Sequence, residues 1–300
     1  MPLHVQCSAE VADALADGAA IVAMESTIFS NLGLPSPANQ EALHRCVAAV
    51  RAHGAVPAVT AVLDGVARVG IDESEHDRIL GAGRKVAERD VAVAVAQRWP
   101  FGATTVSASV MLAHKAGVKV FATGGIGGVH RGSELTGDIS ADLDALASHP
   151  VITVCAGAKA FLDLARTLEY LETYGVPVLG WQHDWFPAFY SRSSGLPIPH
   201  RVESAEEVAG VFANRSRPTV GVLLTAPIPS SAEIDPAALD AVLRGALADC
   251  TAAGITGAAI TPFVLARIGA ATSGRSIPAN LALAENNASV AAQVAVALAT

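Results

Sequence analysis

Positive charge is scarce in this chain and nowhere concentrated. Its 300 residues carry 20 Lys and Arg against 28 Asp and Glu, a formal net charge of −8, with no Lys/Arg block. A field of that sign repels nucleic acid and anionic lipid, so neither is expected as a partner, and any anionic ligand must be small and locally held. Cysteine is equally sparse. Cys7, Cys46, Cys155 and Cys250 lie far apart without a CxxC pair, and no basic, apolar leader opens the chain. A disulfide framework and secretion are therefore not expected, and the reading is a cytoplasmic protein. The apolar runs are broken by Gly, Asp or Arg before they reach the roughly 20 residues of a membrane helix. No repeat and no low-complexity linker divides the sequence. Aromatic residues make up only 5%, and the abundant Ala suggests closely packed helices on a sheet.

What is present is 51% hydrophobic residues in only 16% charged, enough for one large core. Short apolar runs suited to buried strands occur at Ala20–Met24, Ala58–Leu63, Lys119–Ala122, Val151–Cys155, Val176–Leu179 and Val220–Leu224. Helical periodicity predicts helices over Asn39–His53, Val106–Ala116, Phe161–Tyr174, Ala205–Ala213, Pro236–Ala253 and Leu281–Ala299. The alternation argues an α/β fold, a single domain over 1–300, with the Phe186–Pro199 loop as a functional insertion.

Several segments could carry chemistry. Thr123–Gly132 reads TGGIGGVHRG directly after a predicted strand, which suits either an anion cradle of free backbone N–H groups or a tight glycine turn. It has neither dinucleotide-fingerprint nor Walker spacing. Asp138 and Asp142 stand four apart, so a helix beginning there would put both carboxylates on one face for a cation or proton transfer; helix capping by Asp138 is the alternative. Lys159, in VCAGAKA after a buried-looking strand, is placed for burial to favour a neutral, nucleophilic amine, or for simple snorkelling. Glu25 ends the first buried strand, where a raised pKa would suit a general acid or base, although partnering Ser26 and Thr27 in a cap is also open. Lys85, beside Arg84 and Arg89, could hold a phosphate or lie on a solvated helix face.

Taken together, MEST at Met24–Thr27, PSPAN at Pro35–Asn39, GATTV at Gly102–Val106, FATGGIGGVHRG at Phe121–Gly132, DISADL at Asp138–Leu143, VCAGAK at Val154–Lys159 and YLETYGVPVLG at Tyr170–Gly180 resemble the pseudouridine-5′-phosphate glycosidase family, which includes indigoidine synthase A-like proteins. The likeness continues through FPAFYSR at Phe186–Arg192, TPF at Thr261–Phe263 and ENNA at Glu285–Ala288. It implies a central mixed β-sheet flanked by helices, a homotrimer, and a divalent metal, usually Mn2+. By the same resemblance Lys159 is the imine-forming lysine, Glu25 the proton-transfer glutamate, Asp138 the metal ligand and Lys85 the phosphate-side lysine. Val106, Ser140, Ala141 and Asp142 are substrate contacts, with His130 and Asn287 near the site. The implied reaction makes or breaks the C–C bond between C1 of ribose 5-phosphate and a carbon acceptor.

The chain departs from that pattern after the glutamate, reading Ser30-Asn31-Leu32-Gly33-Leu34-Pro35, and carries Trp181, His183 and Trp185 in a later loop. Aromatic surface there would suit an acceptor larger than uracil. Two enzymatic expectations follow, cleavage of pseudouridine 5′-phosphate and C-glycosylation of an aromatic polyketide, beside a non-catalytic sugar-phosphate sensor.

Overall fold

A computed structural model describes residues 3–81, 83–255, 260–272 and 274–299; the side chains of Thr251, Thr261, Pro262 and Leu265 lie outside what it describes, and with them the first two side chains of the TPF motif. Its described strands are β1 (Val5–Cys7), β2 (Ile21–Met24), β3 (Val56–Leu63), β4 (Val66–Val69), β5 (Arg84–Val86), β6 (Phe101–Thr104), β7 (Val120–Ala122), β8 (Ile152–Cys155), β9 (Val178–Trp181), β10 (His200–Val202) and β11 (Val222–Thr225). They form one sheet in the order β1-β4-β3-β2-β7-β8-β11-β9-β10, with β6 attached to β3 and β5 to β6. From β3 through β2, β7, β8, β11 and β9 to β10 every pairing is parallel. The β3–β4 and β3–β6 pairings are antiparallel and make the sheet mixed.

The central strands read as continuous apolar runs because they are covered on both faces. All four residues of β2, of β8 and of β11 are buried. Each of the six expected strands is present, shifted by one or two residues at the ends. Pro177 has no N–H to give a ladder, and β9 begins only at Val178.

The helices follow local stop and start signals. Asp163 accepts a hydrogen bond from the Arg166 N–H at 3.0 Å and caps Leu164–Thr173, so that helix starts three residues later than the periodicity from Phe161 suggests. Gly117, at φ +88°, ends Val106–Ala116. The helix Ser276–Ala299 is 24 residues long and, by length and composition alone, apolar enough to cross a bilayer. More than half of its most apolar stretch is buried, however, against the helix Ala38–Ala52 and against β2, β7 and β8. Its small buried residues, among them Ala284, Ala288, Ala291 and Ala292, allow that close approach.

Candidate active site

The candidate side chains gather where ligands collect in open parallel sheets, beyond the carboxyl ends of the strands. Glu25 directly follows β2, Thr123 follows β7, Lys159 lies four residues past β8, and Thr105 follows β6. These ends border a cavity of about 660 Å³ lined by Glu25, Lys85, His130, Asp138, Lys159 and Phe189 among others.

Glu25 is 8% exposed, and one carboxylate oxygen accepts a short hydrogen bond from the Thr123 hydroxyl. Burial lifts its carboxyl from the ordinary 4.5 to about 7, with the Asp142 charge adding to the rise; the Lys159 and Lys85 charges and the Thr123 hydroxyl pull the other way. Ser26 and Thr27 do not serve as its capping partners. Both bind Thr104 instead: the Thr27 hydroxyl donates to the Thr104 carbonyl at 2.7 Å, and the Thr104 N–H donates to Ser26 Oγ at 3.0 Å. Thr60 and Ser109, fully buried like Ser26 and Thr104, complete this hydroxyl cluster, with Thr60 Oγ1 lying 2.8 Å from both Thr104 Oγ1 and Ser109 Oγ.

Lys159 is half-buried in the turn after β8, its N–H bound to the Ile126 carbonyl at 3.2 Å. Lys85 lies on β5 rather than on a helix, is exposed to solvent and lines the cavity. Desolvation and the neighbouring Lys159 charge lower the Lys85 pKa, opposed by Asp142 and Glu25.

One wall is built from helix N-termini. Glu88 N–H donates to Ser107 Oγ at 3.2 Å, Ser107 N–H to Asp142 Oδ1 at 3.0 Å, and Asp142 N–H to Ser140 Oγ at 3.2 Å. The chain of bonds ties together the starts of Glu88–Ala96, Val106–Ala116 and Ala141–Ser148, three dipole ends of positive sign beside Lys85. Val106, Ser140, Ala141 and Asp142 all line this wall.

The expected shared helical face for Asp138 and Asp142 is not formed. The helix begins at Ala141 with Ser140 as its cap, and Asp138 stays outside it. Asp142 acts instead as a clamp, its second oxygen accepting from Gly127 N–H at 2.8 Å. The glycine segment is only in part a cradle of free N–H groups, since Ile126, Gly127 and Val129 use theirs internally. Gly127 N–H is taken by Asp142, Ile126 N–H by the Gly157 carbonyl at 3.1 Å, and Val129 N–H by Thr167 Oγ1 at 3.0 Å. Close approach explains its glycines: a Cβ at Gly127 would lie 2.2 Å from Ser140 Oγ, and one at Gly125 2.4 Å from the Phe189 ring.

Asp138 and His130 face each other on the cavity wall, Oδ2 to Nδ1 3.7 Å, with His130 N–H bound to the Asp138 carbonyl at 3.1 Å. Burial lowers the His130 pKa, Asp138 raises it, and the two lysines lower it. Among the described residues no three His, Cys, Asp or Glu side chains are arranged around a common metal position. A lone carboxylate beside an imidazole does not make a closed protein site; it fits a hard cation that keeps most of its water.

Asn287 is not brought to the cavity wall. Fully buried, it donates to the carbonyls of Thr123 and Gly124 at 2.8 and 3.2 Å and so braces the strand end beside Glu25. Asn280, seven residues earlier on the same helix face, does line the cavity, and its buried Oδ1 has no hydrogen-bond partner. Sequence reasoning missed it, although a polar residue at i−7 from Asn287 in an apolar helix was a readable signal. Trp181, His183 and Trp185 are also absent from the wall. Trp181 borders a separate depression of about 370 Å³ with His53 and Gln293, His183 Nε2 lies 2.7 Å from the Arg192 carbonyl oxygen, and Trp185 is exposed. The Phe186–Pro199 loop does reach the cavity, through Phe189.

Comparison with known proteins accords with this arrangement. The family described as indigoidine synthase A like protein matches residues 10–297. A pseudouridine-5′-phosphate glycosidase from Methylobacterium nodulans is 51% identical over 294 residues, covering 96% of this chain and 86% of the relative. That of Sorangium cellulosum is 48% identical, covering 98% and 94%. Among solved structures, the prealnumycin C-glycosynthase in complex with ribulose 5-phosphate superposes with a TM-score of 0.91 at 36% identity, covering 100% of this chain and 98% of the other. An indigoidine synthase A-like protein from Thermotoga maritima gives 0.89 at 32% identity, covering 99% and 97%.

Proposed function

This chain belongs to the indigoidine synthase A-like family, and from that premise we propose that it is a pseudouridine-5′-phosphate glycosidase, cleaving the C–C glycosidic bond to give uracil and ribose 5-phosphate, with the reverse joining equally open to the same site. The observation that carries the reading is a carboxyl held near pH 7 within the fields of two lysines, in a cavity whose other wall presents three helix N-termini.

The phosphate is assigned to that wall, where Lys85 and the N–H groups of Val106 and Ala141 complement a dianion. A C-glycosidic bond has no leaving oxygen or nitrogen to protonate, so direct hydrolysis would expel a carbanion. The sugar ring opens first. Glu25, protonated at neutral pH in a good fraction of molecules, gives its proton to the ring oxygen, and the Lys159 amine adds at C1. The bond from C1 to the base carbon then breaks, its electron pair staying on that carbon, which takes up a proton, while the lysine nitrogen forms the C=N of an imine. Water hydrolyses the imine, releasing ribose 5-phosphate. Asn280, with its unpartnered Oδ1, is assigned to the polar edge of the base. Mn2+ held through Asp138 would supply positive charge and ordered water beside the sugar hydroxyls. A homotrimer belongs to the same proposal and would show as three times the chain mass in solution scattering.

Trp181, His183 and Trp185, which favoured a polyketide acceptor, do not line the cavity, so that reading rests on the likeness to the C-glycosynthase alone. A mere sensor would have no use for a carboxyl poised near neutrality. To test the reading, the protein is incubated with ribose 5-phosphate and borohydride and digested for mass spectrometry, in parallel with an assay of uracil release from pseudouridine 5′-phosphate. A reduced pentose-phosphate adduct on Lys159, together with uracil release, is expected. Absence of both from folded, manganese-loaded protein would sink the assignment.

A further inference from the structure

Phe189 holds a backbone conformation that its residue type avoids. Its φ is +61°, in the left-handed region where any Cβ is crowded and where a bulky residue is an outlier. The surroundings impose it. Phe189 N–H donates to the Ala156 carbonyl at 3.0 Å, and Ala188 is bridged to Gly157, where a Cβ would sit 2.0 Å from the Pro187 carbonyl oxygen. Tyr190 meets the Phe189 ring edge-on, centroids 4.7 Å apart.

The other described non-glycine residues with positive φ, Asp64, Arg98 and Gln182, are polar and exposed, whereas Phe189 is a buried aromatic, and a residue needed only to fill the core would have no reason to hold this φ. The strained turn delivers one thing, an aromatic ring at the cavity wall. The ring lies 3.5 Å from where a Cβ on Gly124 would stand, and Ile28 approaches that same point to 3.4 Å. By carrying no Cβ, Gly124 and Gly125 let the ring pack against their backbone, at the cavity wall that Glu25 and Thr123 also line. Asn280 also lines the cavity.

We propose that Phe189 is a specificity-determining residue, the aromatic platform on which the planar acceptor ring lies so that its reacting carbon meets C1 of the sugar. This rests on the acceptor assignment made above. Offset stacking of two rings has the geometry and strength for the task.

The test runs the reaction in the bond-forming direction, with ribose 5-phosphate and uracil, on the wild type, Phe189→Leu, Phe189→Tyr and Phe189→Gly. Glycine accepts the φ without strain and guards against a variant that fails to fold. The KM for uracil is expected to rise about tenfold in the Leu and Gly variants. In the Tyr variant it should return to within about twofold of wild type. The KM for ribose 5-phosphate, and the borohydride-trapped adduct formed without uracil, should stay within about twofold throughout. Equal rises in both KM values, or an unchanged KM for uracil, would overturn the proposal by making Phe189 a general structural residue or an idle one. If the wild type itself makes no bond to uracil, the acceptor assignment falls and takes the platform with it, an outcome distinct from active wild type with indifferent variants.

Discussion

Glu25 is where burial and charge are most finely opposed. Its carboxyl, lifted to about 7, binds a proton in the folded chain over a range in which the unfolded chain has already lost it. Below the ordinary 4.5 both states are protonated and the group is neutral to stability. As pH rises from there through 7, the folded state is progressively penalised, by up to about 3 kcal/mol well above 7. Glu25→Gln should therefore abolish uracil release yet raise the melting temperature relative to wild type at pH 8 and much less at pH 5, which thermal scans at the two pH values would decide. A variant equally stable at both would mean that the carboxyl is not buried in its charged form. Lys159→Met should remove turnover for a different reason, loss of the nucleophile. It should also push the Glu25 pKa further up, because the Lys159 charge is the largest influence lowering it; carbon-detected NMR titration of the Glu25 carboxyl reads that shift directly.

At the scale of elements, the hydroxyl cluster staples two strand ends to the middle of a third strand. Thr104, last residue of β6, holds Ser26 and Thr27 after β2 and meets Thr60 of β3, and the chain then runs through Thr105 into the helix that lines the phosphate wall. Thr104→Val keeps the shape but leaves buried hydroxyls unpaired, a loss of about 1–3 kcal/mol by denaturant titration. If the staple also aims Glu25, kcat should fall while the KM for pseudouridine 5′-phosphate changes little; a loss of stability with intact kcat would confine the cluster to a structural role. None of this was visible in the sequence, where Thr60, Ser26 and Thr104 are scattered polar residues inside apolar runs. What was legible followed from burial on both faces, which turns β2, β8 and β11 into uninterrupted apolar stretches. Strands of three residues with exposed positions, such as β5 and β10, show no period to read. The helix Glu88–Ala96 alternates Val and Ala and so hides its own periodicity. Glu25, Asp138 and Lys159 could be picked out because polar groups at strand ends or after glycine-rich turns need a reason, Lys85 through its neighbours Arg84 and Arg89, and His130 only through the family resemblance. Phe189 could not be picked out, since an apolar residue in a long loop acquires meaning only from the wall it comes to form, and Asn280 was legible only through its spacing from Asn287.

Across the whole molecule, net negative charge and an anionic substrate stand in opposition, since a field set by −8 disfavours approach of a sugar phosphate. The cavity reverses this locally. Lys85 and Lys159 lie inside, three helix N-termini face in, and Arg89 stands at the margin with its side chain 82% exposed and only a 3.5 Å contact to its neighbour Asp90. Arg89 makes no other ion pair among the described residues, so its charge is free to act on an arriving dianion. An exposed charge of this kind contributes at most about 1 kcal/mol, a ceiling of roughly fivefold in affinity, and less as salt screens it. Arg89→Gln should accordingly raise the KM for pseudouridine 5′-phosphate about two- to fivefold at low ionic strength, leave kcat unchanged, and lose most of its effect near 0.5 M salt. A steady-state series in KM against ionic strength decides the matter. An effect that persists undiminished at high salt would place Arg89 in direct, desolvated contact with the phosphate, and no effect at any salt would leave the inner cations and helix ends as the whole source of attraction.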